Sequence, residues 1–133
     1  MAENIFESFK NLFKGKEKVS KEGVRIINVR EMEKQYEADD LTGAASILIE
    51  LLEIYGVRKK KNHRLKGREF IHFILSHKHK DLKNIGYTHW QNINKIVHLN
   101  HDKAYPYHKE NLRSAMDFFR KEIKSINALD IEL

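Results

Sequence analysis

Polar side chains recur at helical spacing between Trp90 and His101, and they are the residues best suited to chemistry in this sequence. Imidazole transfers protons near neutral pH, and a side-chain amide can bind a phosphate or orient an imidazole. On a helix, one face would pack through Trp90, Ile93 and Val97, and the other would carry Gln91, Asn94, His98 and His101. If the segment is catalytic, His98 is the predicted proton-transfer group, with Asn94 as its orienting or phosphate-binding partner.

A second candidate is the basic segment 58–68, in which seven of eleven residues are Lys or Arg and none is acidic. Such a run can neutralise phosphates, and each contact makes binding more sensitive to salt. The net charge of +6 also favours a polyanionic partner. A solvated loop would have the same composition, so that alternative stays open. The predicted phosphate-binding residues are Arg58, Lys59, Lys60, Lys61, Arg64, Lys66 and Arg68, together with His101.

Other chemistry is less well supported. Two groups of histidines could converge on a metal, namely His72, His77 and His79, or His98, His101 and His108. Neither group comes with cysteine or with a His-Glu-x-x-His spacing, and no glycine-rich phosphate loop occurs, so we predict no metal and no cofactor. Four aromatic residues could stack on nucleobases, although Trp90 lies on the apolar face and fits a core position better: Tyr87, Trp90, Tyr105 and Tyr107.

Helical periodicity accounts for most of the chain and supplies the elements that must position these residues. Asn4 can cap a short helix over 5–13, and further helices are predicted over 24–37, 41–55, 68–79, 90–98 and 109–126. The helix over 41–55 is the most apolar and should be central, ending at Gly56. The run 68–79 also fits a buried strand, but no second strand-like run could pair with it. We expect residues 80–84, together with Gly86, to form a polar break, and we expect the C-terminal tail to fray. The sequence thus predicts one all-α domain over 1–133, an up-and-down bundle of five or six helices.

Glu50 and Glu53 share one face of the central helix, three residues apart. We assign both to solvent or to salt bridges with basic neighbours rather than to acid–base catalysis. No apolar run approaches the roughly 18 residues of a membrane span, the N-terminus lacks a signal-peptide pattern, and cysteine is absent. We therefore expect a cytoplasmic protein with no membrane partner.

The order of these segments resembles that of bacterial HEPN-type (higher eukaryote and prokaryote nucleotide-binding) domains. The likeness covers about 24–126, with 1–15 as an accessory helix. It rests on the acidic turn and small-residue helix EADDLTGAASILIELLE at 37–53, on NINKIVH at 92–98, and on the amphipathic helix 111–126. The resemblance implies a helical bundle, often a homodimer, and in many members a metal-independent RNase of toxin–antitoxin or phage-defence systems.

The family's catalytic motif requires an arginine four to six residues before the histidine. Asn94 and His98 match its asparagine and histidine, but Ile93 stands where arginine is expected. Lys95 is close in sequence but points about 100° away from Asn94 on a helix. The spacing does occur at Arg58 and His63, but within the basic segment, where chance matches arise easily.

We therefore expect binding of RNA or another phosphate-bearing ligand, with RNase activity weak or absent. The strip around His98 has three open interpretations: a degenerate RNase site, a ligand-binding patch, or the hydrogen-bonded end of a structural helix. The alternative function is a non-catalytic interaction module, such as an inhibitor, antitoxin or scaffold, that docks on a protein partner through exposed helices.

Overall fold

A computed structural model describes residues 25–59, 65–99 and 106–132. Within these ranges the chain forms five α-helices, one 3₁₀ helix and a two-stranded antiparallel sheet. The prediction of a helical bundle is confirmed, whereas the predicted helix over 5–13 lies outside the described residues. In chain order the elements are β1 (Ile26–Asn28), α1 (Val29–Glu37), α2 (Leu41–Lys59), α3 (Gly67–Ile74), α4 (Lys80–Leu99), α5 (Pro106–Glu122), the 3₁₀ helix (Lys124–Ala128) and β2 (Asp130–Glu132).

Helix α2 is central, as predicted. Every residue from 41 to 52 is buried, because α1, α3, α4 and α5 all contact this helix. The prediction that α2 ends at Gly56 is wrong, since the helix continues to Lys59. A Cβ at Gly56 would lie 2.7 Å from Cε1 of Phe70, so the glycine allows α3 to approach closely rather than terminating the helix.

The predictions for the two ends of the described chain are wrong in a related way. The helix predicted from residue 24 begins at Val29, because Ile26–Asn28 forms β1. The tail predicted to fray forms β2, in which Ile131 pairs with Ile27. Asn28 joins the sheet to α1: its Oδ1 accepts from Glu31 N at 2.7 Å, and its Nδ2 donates to Asp130 Oδ1 at 2.9 Å. Each strand has only three residues, too few for alternation to be recognised in the sequence.

The boundary between α3 and α4 also differs from the prediction. Helix α3 ends at Ile74 rather than near His79, and α4 already begins at Lys80, so residues 80–84 are helical rather than a break. Gly86 lies inside α4, where a Cβ would meet Leu75 Cδ1 at 2.6 Å. The glycine that indicated a break therefore marks the crossing of two helices.

Helix α5 confirms its predicted stripe, since Leu112, Met116, Phe119, Ile123 and Ile126 are all buried. The helix itself stops at Glu122, and the 3₁₀ helix brings Ile126 into the core. Pro106 is the first helical residue, a position where its missing N–H costs nothing.

Charged side chains hold α5 against α1. Arg113 donates to both carboxylate oxygens of Glu33, at 2.8 and 2.6 Å, and Arg120 donates to Glu33 Oε1 at 2.9 Å. The hydrogen bonds from Arg113 lower the pKa of Glu33 despite its partial burial. These contacts hold α5 against α1.

Of the two glutamates on α2, Glu50 is fully buried and forms an ion pair with Arg25, as the salt-bridge prediction anticipated. Glu53 is only partly buried. Burial, followed by the negative charge of Glu50, raises the pKa of Glu53 to about 7.

Candidate functional site

Helix α4 positions the polar strip by packing its other side. Ile93 and Val97 are buried, and the Trp90 ring lies 5.2 Å from that of Phe70 on α3. Trp90 is packed against the core, which agrees with its predicted core position. With one side of α4 held in this way, residues three and four apart on the opposite side must face solvent together.

An open groove of about 440 Å³ lies on this solvent side of α4. Its described lining consists of Gln91, Asn94, Lys95 and His98. The helical spacing predicted that Gln91, Asn94 and His98 share a face, and the structure brings them together. His101, the fourth predicted member, lies outside the described residues.

Asn94 makes one hydrogen bond that fixes its amide, because Nδ2 donates to the Trp90 carbonyl oxygen at 2.7 Å. This is the i to i−4 bond that polar side chains form with a helix backbone. His98 is exposed in the last turn of α4, and no other described residue forms a hydrogen bond or ion pair with its imidazole ring. The predicted orientation of His98 by Asn94 is therefore not a direct hydrogen bond in this structure.

Ile93 occupies the position at which the family motif has its arginine. Ile93 has none of its surface exposed, so it belongs to the core and not to the groove. Lys95, in contrast, lines the groove beside Asn94 and His98. The 100° offset used to discount Lys95 was therefore misleading, because the groove spans both helix positions and the lysine side chain is long. Among the described lining residues, Lys95 carries the one permanent positive charge.

The described C-terminal end of the basic segment contacts the same helix. Arg68, at the start of α3, places its Cζ 4.8 Å from the ring centroid of Tyr87 on α4, a cation–π contact. Tyr87 lies one turn before Gln91, so this pair extends the polar face of α4. Arg58, Lys66 and Arg68 are exposed; of Lys59 only the backbone is described, whereas Lys60, Lys61 and Arg64 lie outside the described residues.

The described groove lining carries no acidic side chain, although most of its accessible surface is the apolar carbon of these side chains. No Asp or Glu occurs in the sequence from residue 82 to residue 101, which includes the whole groove-forming part of α4. Lys95 and His98 are exposed there, and Arg68 adds a guanidinium at one end. The arrangement can attract an anion and donate hydrogen bonds to it, and it offers the imidazole of His98 for proton transfer.

The histidines of the described ranges form no metal centre, and the predicted group of His98, His101 and His108 cannot be described in full because His101 lies outside those ranges. Within the described ranges, no three His, Cys, Asp or Glu side chains are arranged to hold a metal ion, so His72, His77 and His79 do not converge. The ring of His89 lies 5.0 Å from that of Phe118, and burial lowers the pKa of His89, which favours the neutral imidazole. His89 therefore packs between α4 and α5 as a neutral ring.

No described helix is long and apolar enough to span a membrane. In comparisons with known proteins, no family model, curated protein or solved structure matches the chain.

Proposed function

We propose that this protein binds RNA or another phosphate-bearing ligand on the solvent face of α4. The observation that carries the proposal is the groove itself, since its described side chains are two amides, a lysine and a histidine on a stretch without acids. Hydrogen-bond donors and positive charge without neighbouring carboxylates favour phosphate, because no like-charged group opposes its approach. Arg68 and the exposed part of the basic segment extend the same favourable potential.

RNA cleavage is weak or absent in this proposal. Proton transfer by His98 alone would not stabilise the charge that develops on a phosphodiester oxygen. The groove has Lys95 for that role, whereas the family motif requires an arginine at a position that is a core residue here. A homodimer, as the HEPN resemblance implies, would allow a second chain to supply the charge, and light scattering of the purified protein tests for it.

The proposal is tested by measuring the affinity for a labelled RNA as a function of salt. Binding should weaken steeply between about 50 and 200 mM salt, because phosphate contacts release counterions. Lys95→Glu should reduce the affinity at low salt by at least about tenfold. Lys121→Glu is the matched control, because Lys121 is an exposed lysine on α5. Affinity that ignores salt, or equal loss in both variants, would contradict binding at the groove.

The catalytic part is tested separately with His98→Ala. We expect little or no RNA breakdown by the wild-type protein, and any breakdown should disappear in this variant. Because the His98 side chain is exposed and makes no described hydrogen bond, the variant should remain folded. Cleavage that persists in His98→Ala would remove His98 from the proposed chemistry.

A further inference from the structure

His89 lies at the contact between α4 and α5. Its ring centroid is 5.0 Å from that of Phe118 and 6.4 Å from that of Phe119, on which it packs edge to face. The side chain is partly buried, and its Nδ1 atom is covered yet has no hydrogen-bond partner in the described part of the chain. The ring therefore joins the two helices by aromatic packing rather than by a hydrogen bond from Nδ1.

Phe118 connects this contact to the crossing of α3 and α4. A Cβ at Gly86 would lie 3.3 Å from Phe118 Cε2, so the phenylalanine closes the space beside that crossing. Its ring also packs edge to face on the fully buried ring of Phe119, with 5.1 Å between the centroids. A displacement of the His89 ring would consequently disturb packing at a point where three helices meet.

The carboxylates that flank the two phenylalanines on α5 are engaged with other residues. Asp117 accepts a hydrogen bond from Arg113 at 2.8 Å, and Glu122 forms an ion pair with Lys78 at 3.4 Å. On α4 the acidic residue nearest to His89 in sequence is Asp81, two turns earlier and exposed. A proton on His89 would therefore gain no ion pair from these carboxylates.

Other charged or titratable side chains lie close in sequence on the three helices: Lys83 and Tyr87 on α4, Arg120 and Lys121 on α5, and Glu69 and His72 on α3. Burial, rather than any of these groups, lowers the pKa of His89 below its ordinary value of 6.5. The folded protein thus favours the neutral ring, because an imidazolium would bring a second N–H into an apolar contact without an acceptor.

The pH dependence follows from this preference. A histidine whose pKa is lowered by folding takes up its proton less readily in the folded state than in the unfolded state. The contribution of the His89 contact to stability is therefore complete above pH 6.5 and is lost as the pH falls below that value.

We propose that the packing of His89 on Phe118 and Phe119 is an acid-sensitive switch, and that protonation of the His89 ring loosens the contact between α4 and α5. Because α4 also carries the groove, acid would release the groove-bearing helix on its α5 side. The proposal goes beyond RNA binding and does not depend on it.

The experiment measures amide hydrogen exchange in residues 112–119 of α5 at pH 7.5 and pH 5, with each rate divided by the intrinsic rate at that pH. From pH 7.5 to pH 5, protection should fall at least about threefold further in the wild-type protein than in His89→Leu, which cannot be protonated at this position. His98→Leu is the matched control on α4 and should follow the wild type, because the His98 side chain is exposed. Titration of Glu53 is common to all three proteins and cancels in the comparison.

Two further measurements keep the proposal testable. If His89→Leu does not fold, His89→Gln replaces it as the variant that cannot be protonated. In the wild-type protein, the imidazole ¹⁵N shifts of His89 should report protonation only below pH 6.5. An equal fall of protection in the wild type and the His89 variant, or a His89 ring that is protonated at or above pH 6.5, would overturn the proposal; cation–π attraction to Phe118 and Phe119 would have the latter effect.

Discussion

At the scale of single residues, Ile93 decides how the resemblance to an RNase motif should be interpreted. The family motif expects an arginine here, but the side chain is fully buried on the packing side of α4. The motif is therefore not one substitution away from being complete. The positive charge nearest to Asn94 and His98 among the described lining residues comes from Lys95, on the solvent side of the helix.

Replacing Ile93 with arginine should consequently damage the fold rather than create an RNase. An uncompensated charge in this core should cost several kcal/mol, so Ile93→Arg should lower the free energy of unfolding by more than about 3 kcal/mol or prevent folding. Gln91→Arg places the same side chain in the exposed groove and should change stability by less than about 0.5 kcal/mol. Urea unfolding measures both, and an Ile93→Arg protein as stable as the Gln91→Arg protein would disprove the core assignment.

Glu53 gives a residue-scale prediction about pH. Its pKa is raised to about 7 in the folded protein from an ordinary value near 4.5, because burial and Glu50 disfavour its charge. Between pH 4.5 and about pH 7 the folded state retains a proton on Glu53 that the unfolded state has lost. The free energy of unfolding therefore decreases as the pH rises through this range, and it levels off above about pH 7. The difference between the folded and unfolded pKa of Glu53 corresponds to a decrease of up to about 3 kcal/mol in the free energy of unfolding.

Glu53→Gln should remove this loss, because glutamine stays neutral at every pH. The free energy of unfolding, measured in urea, should therefore decrease less from pH 5 to pH 8 in the variant than in the wild-type protein. Glu110→Gln, at an exposed carboxylate of α5, serves as the control and should follow the wild type. Identical pH dependence in all three proteins would contradict the assignment to Glu53.

At the scale of elements, the crossing of α3 and α4 positions the groove, and it depends on Gly86. A Cβ at Gly86 would lie 2.6 Å from Leu75 Cδ1 and 3.3 Å from both Ile71 Cγ2 and Phe118 Cε2. Gly86→Val should therefore overpack the crossing and destabilise the protein by about 1 to 3 kcal/mol. Thr88→Val adds the same side chain to an exposed position of α4 and should have little effect. Thermal unfolding measures both variants, and equal melting temperatures for Gly86→Val and Thr88→Val would contradict the close packing at Gly86.

The elements also explain which parts of the fold could be predicted from sequence. The long stripes of α2 and α5 repeat over several turns, so their type and buried faces followed from periodicity. Gly56 and Gly86 suggested a helix end and a break, yet both lie inside helices because a neighbouring helix requires the space. The strands β1 and β2 pair residues about a hundred positions apart, and no local pattern reports such a partner.

The candidate site was predictable to a similar extent. Spacing alone placed Gln91, Asn94 and His98 on one face. It did not include Lys95, because an ideal helix angle ignores the reach of a long side chain. It also did not indicate that the amide of Asn94 is fixed by the Trp90 carbonyl, since this bond depends on the rotamer.

At the scale of the whole molecule, the two sides of the bundle differ in their charge pattern. On the side where α1 meets α5, opposite charges are paired, as Glu33 is with Arg113 and Arg120. On the solvent face of α4, the described lysine and histidine lack acidic partners. Paired charges stabilise the fold and offer little to a polyanion, whereas unpaired cations remain available to bind one. A negatively charged partner should therefore bind to the solvent face of α4 rather than to the surface formed by α1 and α5.

The most direct test of this account is a map of the RNA contact on the isotope-labelled protein. A short single-stranded RNA is titrated into the protein, and amide chemical-shift changes are followed by NMR at low salt. The account predicts that the largest changes fall on residues 87–98 of α4 and on Lys66 and Arg68, and that they shrink in Lys95→Glu. Changes concentrated on α1 and α5, or no changes at low salt, would contradict it.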